Sequence, residues 1–169
     1  MSTNRPAKTT NLAERLSRSD FRILKVLQEQ ADLSNVELAD RIGLSPSPCL
    51  RRVNQLKQDG VITGYVALLD RRVLGLDVVS FVEVQVDRHS EQIDGAFRAA
   101  ILREPEVVAC YCTTGQYDYV LKVVAADLDA YAAFTMKRLL RMPGVKDIRS
   151  SLVLDVVKDS TAMPLNHLE

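Results

Sequence analysis

The chain has little of what marks a membrane, disulfide-built or metal-binding protein. Its longest uninterrupted apolar stretch, Val107–Cys112, is far short of the roughly 20 residues a membrane helix needs. Its first residues, Met1-Ser2-Thr3-Asn4-Arg5-Pro6-Ala7-Lys8, are polar and carry no hydrophobic signal core. These absences predict a cytosolic protein with no membrane partner. Three cysteines, Cys49, Cys110 and Cys112, do not make a disulfide framework, and no His/Cys cluster of zinc-ligand spacing accompanies them. They are read as reduced packing residues; neither a metal nor a cofactor is expected. The two histidines, His89 and His167, fall in an expected loop and in the tail, and neither pairs with a cysteine at a recognised nucleophile spacing. Cys49 lies near a helix N-terminus, where a thiol pKa can fall, but it also fits the buried side of that helix. Catalysis is therefore not expected. Internal repeats and low-complexity tracts are missing too.

What remains is ordinary globular composition, 47% hydrophobic and 26% charged over 169 residues, enough for one medium domain or two small ones. The zero net charge hides a mild split. Residues 1–62 carry ten Lys/Arg against seven Asp/Glu, a balance of +3, and the remainder twelve against fifteen, a balance of −3. The basic half hints at a polyanionic partner.

Residues 1–17 read as a mobile polar arm. A first helix is expected at about Asp20–Gln30, capped by Ser19 or Asp20, with Phe21, Ile23, Leu24 and Leu27 on its apolar side. The second is better specified. Ser34 is an N-cap with Glu37 three residues on, the capping-box spacing, and Leu33 and Leu38 are placed as a hydrophobic staple. Leu38, Ala39 and Ile42 form its buried stripe, and Gly43 can take the left-handed conformation that ends a helix. The third helix starts at Ser45 or Ser47, each followed by a proline, buries Leu50, Val53 and Leu56, and stops at Gly60. Helix, short glycine-containing turn, helix is the arrangement of a DNA-binding helix-turn-helix.

After Gly60 the period changes. Val61–Asp70 reads as extended, with a turn near Leu74-Gly75. Residues 77–87 alternate, with Val78, Ser80, Val82, Val84 and Val86 on one face. A helix over 91–103 carries Ile93, Ala96, Phe97, Ala100 and Ile101 and is broken by Pro105. Strands at Val107–Thr113 and Asp118–Val124 flank the turn at Gly115-Gln116-Tyr117. A helix over Asp127–Arg141 and a strand over Val145–Val157 follow, and Lys158–Glu169 looks like a loosely held tail. The order β-α-β-β-α-β predicts a ferredoxin-like sandwich. Its outer sheet face, expected to show Val79, Phe81, Cys110 and Cys112, would need a covering partner.

The outward face of the third helix, Ser47, Pro48, Arg51, Arg52, Gln55 and also Lys57, has chemistry suited to DNA. Arginine donates twice to guanine or holds a phosphate, and glutamine pairs with adenine. Ser45 and Ser47, beside exposed helix N–H groups, suit phosphate. Asn35, at the start of the second helix, completes the set. A unit this small reads only a few base pairs, so a dimer with two third helices about 34 Å apart is expected, on pseudo-palindromic double-stranded sites.

Five stretches resemble the Lrp/AsnC, or feast/famine, transcription regulators of bacteria. They are Asn35-Val36-Glu37-Leu38, Gly43 to Val53, Gly64-Tyr65-Val66-Ala67-Leu68-Leu69, Gly115 to Lys122, and Leu139 to Val145. The likeness runs from about Leu16 to Lys158, through both halves in order, and looks nearest the leucine-responsive branch. It implies pairing of the segment near Ile62–Asp70 with its copy in a second subunit. It also implies association of dimers into a ring-like octamer around which DNA can wrap, and a free amino acid bound between subunits. The implied effector-binding residues are Thr113, Thr114, Gly115, Gln116, Tyr117 and Asp118, with Thr135 from the second helix of that domain. Hydroxyls and N–H groups there suit a carboxylate and Asp118 an ammonium group. From the residues alone the same Gly and Asp equally make a plain hairpin turn; the resemblance favours the effector. Gln116 stands where leucine-responsive members tend to have an acidic residue, which leaves the effector open. Ser19 replaces an apolar residue common at the start of the first helix.

The expected plan is α+β. It has an arm (1–17), a three-helix, winged-helix-like helix-turn-helix domain (18–61), a linker strand (62–75), a ferredoxin-like βαββαβ domain for effector binding and oligomerisation (76–158), and a tail (159–169). The function expected is sequence-specific transcription regulation in the cytoplasm, associated with the nucleoid. The alternative is a DNA-architectural protein with weak sequence preference and no dedicated effector, which the residues do not separate from it.

Overall fold

The computed structural model describes residues 16–87 and 91–166. The first fifteen residues of the expected arm, and both His89 and His167, lie outside that range. The described residues divide into two compact units, one of those up to Ala67 together with those from Lys158 onward, the other of those within Leu68–Val157.

The first unit holds three helices, α1 (Arg18–Glu29), α2 (Asn35–Ile42) and α3 (Pro46–Gln58). α1 starts earlier than its apolar pattern suggests. Its cap is Ser17, whose hydroxyl accepts from the Asp20 amide while the Asp20 carboxylate accepts from the Ser17 amide. Asp20 is thus the third helical residue of a capping box, not the cap. α2 has the expected box of Ser34 and Glu37, and ends on Gly43 at φ 68°. α3 begins after Ser45, with Pro46 in its first turn. Its buried residues are Cys49, Val53 and Leu56, whereas Leu50 is exposed. The i, i+4, i+7 spacing of the first three fits one helical face better than a stripe through Leu50. Ile23, Ile42 and Leu56, almost wholly buried in this core, each stabilise it by about 1.5–3 kcal/mol. After α3, residues 63–70 form neither helix nor strand. The tail is held rather than loose, since the Gln28 side-chain amide donates to the Met163 carbonyl (3.2 Å) and accepts from the Met163 N–H (2.6 Å).

The second unit is an antiparallel sheet of β1 (Val78–Val86), β2 (Val107–Cys112), β3 (Tyr119–Ala125) and β4 (Val145–Leu152), in the order β2-β3-β1-β4. This is the ferredoxin-like arrangement expected. α4 (Glu91–Ile101) and α5 (Leu128–Ala133) cover one face. The long second helix expected continues past α5 as a π-helical turn, Phe134–Arg138, and a 3₁₀ turn, Leu139–Arg141. The core joins Val82, Val84, Leu121 and Val123 of the sheet to Phe97, Ile101, Phe134 and Leu139 of the helices.

One expected face is corrected. β2 carries an irregularity between Val107 and Ala109, after which Cys110 pairs with Leu121 and Cys112 with Tyr119. Directly paired residues share a face, so both cysteines lie on the helix side, at the sheet edge. The extra residue of a bulge inverts the alternation that follows it. The open face instead carries Phe81 and Tyr111, with Glu83 ion-paired to Arg149 at 2.7 Å.

Candidate functional site

In the first unit α2, the Gly43 turn and α3 set one exposed helical face. Ser47, Arg51 and Gln55 lie on it as expected by spacing, in a shallow groove completed by Leu50, Asn54 and Gln58. Gln55 also donates to the Asp59 carboxylate at 2.9 Å. Ser45 is the N-cap and makes no side-chain capping bond, and Pro48 is half-buried. Asn35 has an internal job: its amide donates to the Pro46 carbonyl at 2.8 Å, bracing the start of α2 against the start of α3. Lys57 sits over the Tyr65 ring, 5.0 Å from its centroid.

Arg52 departs from its expected outward placement. Its Nε donates to Asp20 Oδ1 at 2.8 Å and its Nη2 contacts Asp20 Oδ2. Asp20 has no exposed surface. Burial pushes the Asp20 carboxyl up, but the hydrogen bonds from Arg52 and Ser17 outweigh it and hold it below its ordinary value. The same bond holds Arg52 more firmly protonated. Consecutive helical residues point about 100° apart, so Arg51 and Arg52 cannot serve one face equally. Arg52 ties α3 to α1. The spacing of Ser17 and Asp20 was the available signal for this anchor.

In the second unit the turn between β2 and β3 brings Thr113 to Asp118 together. The Thr113 amide donates to the Asp118 carbonyl (3.0 Å) and its hydroxyl to the Tyr117 carbonyl (3.3 Å). Gly115 sits at φ 121°, a conformation side chains rarely adopt, with nothing within 4 Å of where a Cβ would stand. The backbone there is open to a small molecule. Thr114 and Gln116 are exposed. Asp118 clasps the end of β1, its amide donating to the Val84 carbonyl (2.9 Å) and its Oδ2 accepting from the Val86 amide (2.8 Å). Tyr117 lies under Arg149, whose Cζ is 5.6 Å from the ring centre. Thr135 falls in the π-helical turn, buried, with its hydroxyl donating to the Tyr131 carbonyl at 3.0 Å. Such turns occur often at functional positions. Next to the turn, Tyr119 packs on Phe97 and contacts Asp94. Burial and that acidic partner push its phenol up to about 12.

Among the described residues no group of three or more His, Cys, Asp or Glu is placed to hold a metal ion. No helix among them is long and apolar enough to cross a membrane.

Both units match known families. Residues 16–63 match the winged helix-turn-helix DNA-binding pattern, and residues 79–163 the Lrp/AsnC ligand binding domain. The leucine-responsive regulatory proteins of Salmonella typhimurium and Escherichia coli K12 are each 40% identical over 148 residues, 88% of this chain and 90% of theirs. A transcriptional regulator of Neisseria meningitidis, solved in complex with L-Met, superposes with a TM-score of 0.88 at 42% identity, covering 91% of this chain and 99% of that one. An AsnC family transcriptional regulator of Agrobacterium tumefaciens gives 0.85 at 36% identity, with coverage of 90% and 99%.

Proposed function

The chain belongs to the Lrp/AsnC family and is a DNA-binding transcription regulator with an amino-acid-binding domain, and from that premise we propose how its residues divide the work. Ser47, Arg51 and Gln55 read double-stranded DNA from α3, with Ser45 and Pro48 on the phosphate side at the helix start. Asn35 and Arg52 act behind them, holding α2 and α1 against the reading helix. The observation that carries this is the exposed, hydrogen-bonding face of α3 held out by a doubly capped helix and its glycine turn.

A free amino acid binds between subunits at Thr113–Asp118. Backbone N–H groups beside Gly115 and the hydroxyls of Thr113 and Thr114 take its carboxylate, and Asp118 takes its ammonium group. Gln116 and Tyr117 line the approach, and Thr135 contributes from the π-helical turn. L-Met is the first ligand to test, because a neighbour at 42% identity was solved with it. Two copies pair through the segment at 63–70, where Val66, Leu68 and Leu69 are 81%, 74% and 72% exposed, and dimers associate further toward an octamer. Such a dimer fits pseudo-palindromic sites on the cytoplasmic nucleoid. A thermal-shift screen against the twenty amino acids tests the sensing role, since a ligand of the folded state raises the melting temperature by mass action. One or a few amino acids should raise it; a flat response at millimolar concentration of all twenty would contradict the reading.

A further inference from the structure

α3 presents one large apolar side chain in the middle of an otherwise polar face. Leu50 is 48% exposed and shares its groove with Ser47, Arg51, Asn54, Gln55 and Gln58. The core side of the same helix is already filled by Cys49, Val53 and Leu56, so Leu50 is not a core residue displaced by the geometry. It is turned about 100° from Cys49 by the helix itself. A single leucine is too small an apolar area to dock a protein surface. Its neighbours are instead base-edge hydrogen bonders, an arginine, an asparagine and two glutamines, and they define the company it keeps when α3 enters the major groove. There, the one methyl group that a base edge offers is the C5-methyl of thymine.

We infer that Leu50 is a specificity-determining residue that contacts a thymine methyl in each half-site, beside the base pair read by Arg51. This rests on the proposed reading of α3 as the recognition helix. The hydrogen-bonding neighbours set the register on the groove, and Leu50 adds a sensitivity to the thymine methyl group that hydrogen bonds from this face do not supply. The arrangement commits to double-stranded DNA as the occupant.

Deoxyuridine tests the point cleanly, because it removes only the methyl group and leaves every hydrogen-bonding atom of thymine in place. Starting from a duplex selected by the full chain out of a random pool, each thymine is replaced in turn by deoxyuridine, and affinity is measured by fluorescence anisotropy. One position per half-site should weaken wild-type binding about fourfold, the effect of one buried carbon. Leu50→Ala should bind the parent duplex more weakly and show no difference between dT and dU at that position, while Leu50→Met restores the difference. Because the side chain is exposed, Leu50→Ala should keep the wild-type melting curve and the wild-type mass by light scattering. Binding that is indifferent to every dU, or equally sensitive in Leu50→Ala, overturns the inference and leaves the DNA-reading role standing. A drop in oligomer mass for Leu50→Ala overturns it also, by making Leu50 a subunit contact. If the full chain prefers no duplex over random DNA, the reading of α3 itself falls, and the role of Leu50 with it.

Discussion

Asp20 is a carboxylate without exposed surface, held by the Ser17 amide and hydroxyl and by two nitrogens of Arg52. Removing Arg52 strands that charge. A fully buried pair broken from one side loses about 3–5 kcal/mol; with the Arg52 side chain 36% exposed, Arg52→Ala should lose about 2–3 kcal/mol, read by urea denaturation. Arg51→Ala should leave stability within about 0.5 kcal/mol and weaken DNA binding. Plotted against salt, Arg51→Ala should lower the slope of log affinity by about one if Arg51 holds a phosphate, or relax base preference if it reads a guanine. Arg52→Ala should do neither. A lowered salt slope in Arg52→Ala would return Arg52 to the DNA face. The same pair predicts a pH effect. The Asp20 carboxyl is held below its ordinary value, so the unfolded state takes up its proton first as pH falls. The stability it contributes is therefore complete above about pH 4 and is lost as pH drops below that. Asp20→Asn should flatten the acid limb of the stability profile; an unchanged limb would contradict the assignment.

Single elements show where sequence patterns carry information and where they fail. Ser34, Glu37 and Gly43 name α2 completely, because capping chemistry is local and each residue type has one physical use there. The Ser17–Asp20 box has the same spacing, but Ser19 beside it offers a second plausible cap, and only the contact with Arg52, 32 residues away, decides. At Val108 the alternation of β2 breaks, and no residue type announces a bulge among apolar neighbours, so the facing of Cys110 and Cys112 is legible only in the register. Tail docking on Gln28 is equally invisible, since any backbone could pair with that amide. The turn at Thr113–Asp118 is proposed as the effector site on family resemblance, and its hydrogen bonds sharpen the test of Asp118. That residue braces the Val86 amide and, in the proposed function, also attracts ammonium. Asp118→Asn keeps an acceptor oxygen without the charge. It should melt near wild type but bind the amino acid about tenfold more weakly, the scale of one charged hydrogen bond. Asp118→Ala should lose both. Calorimetric titration of Asp118→Asn at wild-type affinity would contradict the ammonium role.

At the scale of the whole molecule, the chain enters its second unit at Leu68 and returns to the first at Lys158, so two backbone connections join DNA reading to amino-acid sensing. α3 alone offers a narrow reading face, and useful specificity requires two copies held at a fixed spacing. The exposed apolar residues of 63–70 are the surface proposed for that pairing. Selection of duplexes from a random pool by the full chain, with and without the amino acid that raises its melting temperature, tests this most directly. The account predicts enrichment of an inverted repeat with half-sites about one helical turn, or a multiple of it, apart, and an affinity for that repeat that changes when the amino acid is present. A pool that emerges unenriched, bound as tightly as random DNA at every salt concentration and indifferent to the amino acid, would contradict it.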